Sequence, residues 1–398
     1  MNTFYFIQYY LNKIKKIRNE HNYFPHFKET TIINHYLPII KDIESFCDLS
    51  ILHPSYIHTQ SYKIKTQQID LHILSYKKKS TKKYNKMATL IYSAISLLLD
   101  EKTKGCSDSL AIYIFLSPTK KKLNKNLNDV IGKQNVNSGF TFSCKIDGQN
   151  KVVIFREEEW FKVLIHELFH SFGIDFSHMN DLIQQSNEKT LNYFNVKSKV
   201  NLFEAYTETL SEIIFLFFVT LENKKSSQSI HTRKTRKKGK TISISTRCID
   251  EKPDQDVILF KKLLKEQQRF SCEQSIKILD FMGLEIEDIF YEEGCTLANQ
   301  ECAYTASKEK YKEDSNILSY FIIKSIFLFH FDAFIECLSV QRTETMAFLR
   351  YDKSKNAIDC MIGLLDKKTN DTFFEEMYVI KSKIKSQNNS LRMTIHDI

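Results

Sequence analysis

The chain has 398 residues, of which 42% are hydrophobic and 26% charged. That is enough apolar material for a sizeable core, and the composition excludes collagen-like and disordered classes. The formal net charge of +9, from 57 Lys+Arg against 48 Asp+Glu, raises nucleic acid as a partner. The excess is local: Asn223–Arg247 (NKKSSQSIHTRKTRKKGKTISISTR) holds nine basic residues and no acidic one, and the remainder carries 48 of each sign.

Nine cysteines, an odd number with no CxxC pair, point to inert thiols in a reducing compartment and away from a disulfide framework or a Cys-type zinc knuckle. The N-terminus, MNTFYFIQYYLNKIKKIRNE, lacks the basic start, apolar stretch and cleavage site of a signal peptide. The longest apolar runs, Ile213–Leu221 and Ile317–Phe331, are too short for a membrane span or are broken by Lys324. The expectation is a soluble intracellular, cytoplasmic protein with no membrane partner.

In chain order, helical spacing covers Thr3–Asn19 and, more strongly, Lys83–Asp100. Between them Tyr62–Tyr76 alternates, with Ile69–Leu74 as a strand. Leu110–Leu116, Gly139–Ser143 and Lys151–Phe155 read as further strands, the last two flanking an Asp147-Gly148 hairpin turn. Lysine clusters at Lys77–Lys86 and Lys120–Lys125 read as solvated loops. After Phe155 the period becomes helical.

Glu157–Phe172 (EEEWFKVLIHELFHSF) opens on three acids that suit a helix N-terminus. Phe161, Leu164, Ile165, Leu168, Phe169 and Phe172 form one apolar stripe, and His166, Glu167 and His170 flank it. This is HExxH on a helix. The four-residue step puts two imidazoles on one face, close enough to share a Zn²⁺, with Glu167 beside them as general base. Two buried histidines flanking an acid have no packing rationale of their own, because each needs a polar partner.

A catalytic zinc needs a third protein ligand. The HExxHxxGxxH pattern fails because position 176 is Phe176, and Gly173 reads as the residue that ends the helix. Asp175 and His178 are candidates if the chain bends back. Asn201–Leu221 is a helix whose Glu204, Glu208 and Glu212 stand at i, i+4 and i+8. They form a solvated acidic face, a capping box from Asn201 to Glu204, or a source of the ligand, with Glu204 ahead of Glu208.

His166-Glu167-x-x-His170 followed by Glu204-Ala205-Tyr206-Thr207-Glu208 resembles the gluzincin class of zinc metallopeptidases, with Phe203 where that class usually has Asn. The whole chain is also similar to poorly characterised zinc metallopeptidases of giant DNA viruses, which would allow association with a virion. The resemblance implies one Zn²⁺ per chain on His166, His170 and Glu204, with Glu167 as base and Glu208 orienting a ligand histidine. It also implies an oxyanion donor beyond the third ligand, for which Tyr320 in NILSYFIIKSIFLFHF is the candidate. The order strand, turn, strand, helix matches a zincin, in which Gly139, Phe140 and Thr141 would bind extended peptide at a sheet edge.

The expected fold is α+β and zincin-like, with a small mixed sheet, the active-site helix and a mainly helical second lobe. Its parts are an N-terminal lobe at 1–178, a helical lobe at 179–366 interrupted by a disordered basic insert at 223–247, and a loosely packed polar helix and tail at 367–398. The expected function is a zinc-dependent metallopeptidase acting on peptide or protein substrates. The rivals are an inactive zincin-fold protein and a nucleic-acid binder working through 223–247.

Overall fold

The computed structural model describes residues 3–20, 25–30, 33–46, 54–142, 144, 147–234, 254–291, 306–338, 355–384 and 388–398. Helix α1 (Thr3–Glu20) buries Phe6, Ile7, Tyr10, Leu11 and Ile14 along one stripe. Strand β1 (Lys28–Thr30) and α2 (Leu37–Ile43) lead to a long antiparallel hairpin of β2 (Tyr56–Ile64) and β3 (Gln67–Ser75). Its tight turn holds Lys65 at φ 53. Helix α3 (Thr81–Leu98) starts at Ser80, whose side chain accepts the Lys83 N–H. Strand β4 (Ser109–Leu116) lies parallel to β3, and β5 (Ile131–Gly132) and α4 (Lys133–Val136) precede β6 (Gly139–Thr141) and β7 (Asn150–Ile154). The six-stranded mixed sheet runs β1-β2-β3-β4-β7-β6, with β7 parallel to β4 and β6 antiparallel at the edge.

Alternation along the strands sorts residues between two layers. Ile69, Leu71, Ile73, Ile112, Ile114, Val152 and Ile154 face the large core that contains α3 and the helix after β7. Leu74, Ala111, Tyr113, Phe115, Val153 and Phe155 face Ile39, Ile40 and Ile43 of α2.

The helical part comprises α5 (Trp160–Ser171), α6 (Asn180–Leu191), α7 (Leu202–Lys234), α8 (Gln255–Met282) and α9 (Ala306–Lys310). Strand β8 (Glu313–Asp314) pairs parallel with β5, and a π-helical stretch, Leu318–Ile323, runs into α10 (Lys324–Phe329). Then follow α11 (Phe331–Cys337), α12 (Lys355–Gly363) and α13 (Asp371–Lys383). The apolar core continues across residue 178 without a break. No single helix is long and apolar enough to cross a membrane, and the bent pair Leu318–Phe329 and Phe331–Cys337 is largely buried.

The structure corrects five readings. Helix α5 begins at Trp160 rather than Glu157, because the three acids are occupied: Glu157 pairs with Lys79 and Lys83, Glu158 with Lys120, and Glu159 with Lys121. Lys121, placed by its cluster in a solvated loop, is buried. Helix α7 continues through Lys234, so the basic insert begins as helix; no Gly or Pro interrupts it there, and 235–253 lies outside the described residues. The C-terminal segment is not loose: Leu391, Met393 and Thr394 are buried, and Asn389–Leu391 pairs with Lys121–Leu123 through Leu123 N–H to Asn389 C=O and Leu391 N–H to Lys121 C=O. Finally, Cys106 is disulfide-bonded to Cys144 and Cys337 to Cys360, while Cys272 is free and buried. An odd total leaves room for pairs, and partners 38 and 23 residues apart give no local spacing signal.

A polar clamp joins the start of α7 to the π-helical stretch. The Ser319 hydroxyl donates to Asn201 C=O at 2.9 Å, and Asn201 Nδ2 donates to Asn316 at 2.8 Å. The Glu313 carboxylate accepts the Ser198 hydroxyl and, at 2.9 Å, the Leu318 N–H. Burial raises the Glu313 pKa from 4.5 to about 7 despite these donors. A carboxyl raised in this way contributes stability that is complete below pH 4.5 and lost as pH rises through about 7. The stability of the wild type relative to Glu313→Gln is therefore expected to fall across that window in denaturant titrations, and a pH-independent difference would contradict the assignment.

Candidate metal centre

Helix α5 is buried on every side, and its predicted stripe of Phe161, Leu164, Ile165, Leu168, Phe169 and Phe172 is at most 1% exposed. It ends where the sequence places the break. Gly173 takes φ +59 and donates its N–H to His170 C=O, while Ile174 N–H reaches Phe169 C=O in a Schellman pattern. The turn returns Asp175 to the side of His170. Helix α7 packs along α5 and presents Glu204, Thr207 and Glu208 to it, at the i, i+3, i+4 positions of one face.

His166, His170 and Glu204 converge on one point. The two Nε2 atoms are 3.1 Å apart, and Glu204 Oε2 lies 3.2 Å from His166 Nε2 and 3.5 Å from His170 Nε2. Ligands bound at about 2.0–2.2 Å in a tetrahedral shell stand about 3.3–3.6 Å from one another. Glu204 Oε2 is buried and has no aligned hydrogen bond, although both imidazoles are within ion-pair distance. Such an orphaned oxygen is what a metal-ligand position looks like without its ion, so the residues present fit zinc.

The far side of each imidazole faces a carboxylate. His170 Nδ1 is hydrogen-bonded to Asp175, and His166 Nδ1 lies 3.0 Å from Glu208 Oε2, within ion-pair distance but without an aligned hydrogen bond. Asp175 in turn accepts the Ser177 hydroxyl at 2.8 Å and the Thr207 hydroxyl at 3.1 Å. With Nδ1 facing a carboxylate, each Nε2 turns its lone pair to the common point. Burial opposes the imidazolium form at both histidines, but Glu204 and Glu208 outweigh it at His166, and Asp175 and Glu204 outweigh it at His170, so both pKa values lie above the ordinary range.

Behind Glu208 is a buried charge network. Glu208 is paired with Lys162 of α5 and lies 3.4 Å from Lys324 of α10, which also contacts Glu212 at 3.0 Å and donates to Met393 C=O at 2.7 Å. Despite burial, the two lysines hold the Glu208 carboxyl well below its ordinary pKa. The acidic stripe is therefore interior and not solvated. The capping box is also absent, since Asn187 Oδ1 accepts the Leu202 N–H and Asn201 bonds Asn316 instead.

Glu167 is buried beside the triad and has no hydrogen bond or ion pair among the described residues. Burial raises its pKa against the pull of His166 and His170. Edge strand β6 passes over it. A Cβ on Gly139 would stand 2.8 Å from Val163 Cγ1, 3.0 Å from Glu167 Oε1 and 3.0 Å from Val153 C=O, so only glycine lets strand and helix approach this closely. Phe155 N–H bonds Ser138 C=O. By antiparallel alternation the next bonded pair is Phe140 with Val153, and the backbone groups of Gly139 and Thr141 point to the free edge. Tyr320 stands with its ring 6.1 Å from that of His166. Burial keeps its hydroxyl protonated, and among the described residues the hydroxyl has one partner, Asn316 Nδ2 at 3.4 Å.

The structure thus gathers His166, Glu167, His170, Glu204, Glu208, Tyr320 and Gly139 at one place. Phe140 and Thr141 lie along the adjoining edge. Asp175 braces His170 instead of joining the cluster, and His178 is exposed. Sequence reasoning missed Lys162, Lys324, Thr207 and the C-terminal segment. The lone Lys324 inside an apolar run was a readable signal of a buried ion pair.

No family model, curated protein or solved structure matches the chain. The geometry alone carries the functional reading.

Two substitutions test this geometry. Gly139→Ala is expected to destabilise the fold by about 1–3 kcal/mol in denaturant titrations, and an unchanged midpoint would show that β6 does not press on α5. Lys324→Met leaves Glu212 and Glu208 short of a cation and is expected to cost about 3–5 kcal/mol; a neutral effect would mean that the network is not closed as described.

Proposed function

We propose that the chain is a zinc-dependent metallopeptidase of zincin-like architecture, holding Zn²⁺ on His166, His170 and Glu204 and acting on peptide or protein substrates. The observation that carries this reading is the spacing of the three donor atoms, 3.1 to 3.5 Å, with an acid that no other group occupies beside them. Zn²⁺ bound there would supply Lewis acidity and an activated water near neutral pH.

The chain's own residues account for the other requirements. The free edge of β6 offers the backbone groups of Gly139 and Thr141 to an extended peptide, which lays the scissile bond over α5. Glu167, its carboxyl raised by burial, is placed to take a proton from water and return it to the leaving amine. The protonated Tyr320 hydroxyl can donate to the oxygen that gains charge. Glu208 and Asp175 keep both imidazoles in one tautomer and orientation throughout. An inactive relative would have no use for a buried, unpaired Glu167, since a buried carboxyl without a partner only destabilises the fold.

Glu167→Gln keeps shape and removes the base. It is expected to retain bound zinc and to lower kcat for peptide cleavage by roughly 10²- to 10⁴-fold. Cleavage at the wild-type rate would remove Glu167 from the mechanism.

A further inference from the structure

The cavity beside the histidines carries two lysines for which the reaction so far has no use. Its volume is about 30 Å³, room for roughly two water-sized groups. Lys121, Lys162 and Met393 line it together with His166, Glu167 and Glu208. Lys121 and Lys162 are each 1% exposed. An ammonium has three N–H donors, yet each of these has one partner among the described residues: Glu159 Oε2 at 2.9 Å for Lys121, and Glu208 for Lys162. Lys324, in the same network but not on the cavity wall, contacts two carboxylates and a carbonyl. Of these three buried lysines, the two with spare donors are the ones that line the cavity.

The C-terminal segment forms one wall of this cavity through Met393. Met393 and Thr394 donate their N–H groups to Glu159 Oε1 at 2.7 and 2.6 Å, and Met393 C=O accepts from Lys324 and from Gln267 at 2.8 Å. Lifting that segment away would strand three buried polar side chains, so it is a fixed wall and not a removable plug. Burial also pulls the Lys162 pKa down, as befits a cation that an added anion would stabilise.

We propose that the lysine-bearing wall of this cavity binds a carboxylate carried by a substrate residue next to the scissile bond, its two oxygens taking the spare donors of Lys121 and Lys162. The inference rests on the peptidase reading. The carboxylate is either the terminal group of the peptide or a short acidic side chain, since the space excludes anything larger.

Calorimetric titration of the zinc-free full chain with acetate, and with acetamide as the uncharged analogue, tests the pocket without catalysis. Acetate is expected to bind at least roughly tenfold more tightly, and Lys121→Met to abolish the preference. Met393→Phe fills the cavity without breaking an ion pair and has the same expected effect, which keeps the test open if Lys121→Met does not fold. Equal affinity for the two probes, or an acetate preference that survives in the folded variants, overturns the proposal. For the zinc-loaded enzyme, one peptide pair compares a free C-terminus with its amide and a second compares Asp with Asn beside the cleaved bond. A rate advantage of about tenfold or more for the carboxylate in the first pair assigns an α-carboxylate, and in the second an acidic side chain. Equal cleavage of all four peptides sinks the pocket and leaves the peptidase reading intact, whereas acetate binding without any cleavage does the reverse.

Discussion

Three lone-pair donors stand within 3.1 to 3.5 Å of one another between α5 and α7, and most of the surrounding structure serves to hold them there. Two imidazoles and a carboxylate at that range do not pack on apolar grounds, because each would keep its own water. They are held from behind. Asp175 braces one ring and Glu208 the other, and Glu208 is itself held by lysines from two different helices. A metal-ligand set is only as well defined as the groups that orient it, and here those groups come from α5, α7, α10 and the turn after Gly173.

The fold converts this local need into a long-range one. Lys162, Lys324, Glu208 and Glu212 are buried and paired with one another, and a second buried pair, Lys121 with Glu159, reaches backbone groups near residue 393. Buried ion pairs add little net stability over an apolar core, but breaking one is costly, so they favour a single arrangement. The C-terminal segment, the entry to α5 and the packing of α10 are thereby coupled to the same site. Glu159 sits at φ 59, a region costly for a residue with a side chain, and its carboxylate is anchored from both sides, by Lys121 and by the Met393 and Thr394 amides.

Local chemistry in this chain was legible from sequence where it repeats with the period of its element. The stripe of α5, the strands Leu110–Leu116 and Lys151–Phe155, the break at Gly173 and the pair His166 and His170 all follow from spacing. Glu204 emerged because a ligand was needed and a carboxylate stood on the right helix. What stayed hidden depended on contacts between distant segments. Nothing near Lys121 indicates that Glu159 waits for it, and the disulfides join cysteines without local spacing. Nor does the polar look of the last residues indicate that Leu391 and Met393 complete a core. The acids of Glu157–Glu159 were misread for a related reason: their value as helix-start residues is small, about 0.3–1 kcal/mol, and pairing with specific lysines outweighs it.

The central claim is that the convergence of His166, His170 and Glu204 is a zinc site. The most direct measurement is elemental analysis of the purified full chain after equilibration with excess zinc and removal of unbound metal. The account predicts one zinc per chain in the wild type and loss of that zinc in a folded His170→Ala variant. A folded wild-type chain that retains no zinc with both histidines intact would contradict it.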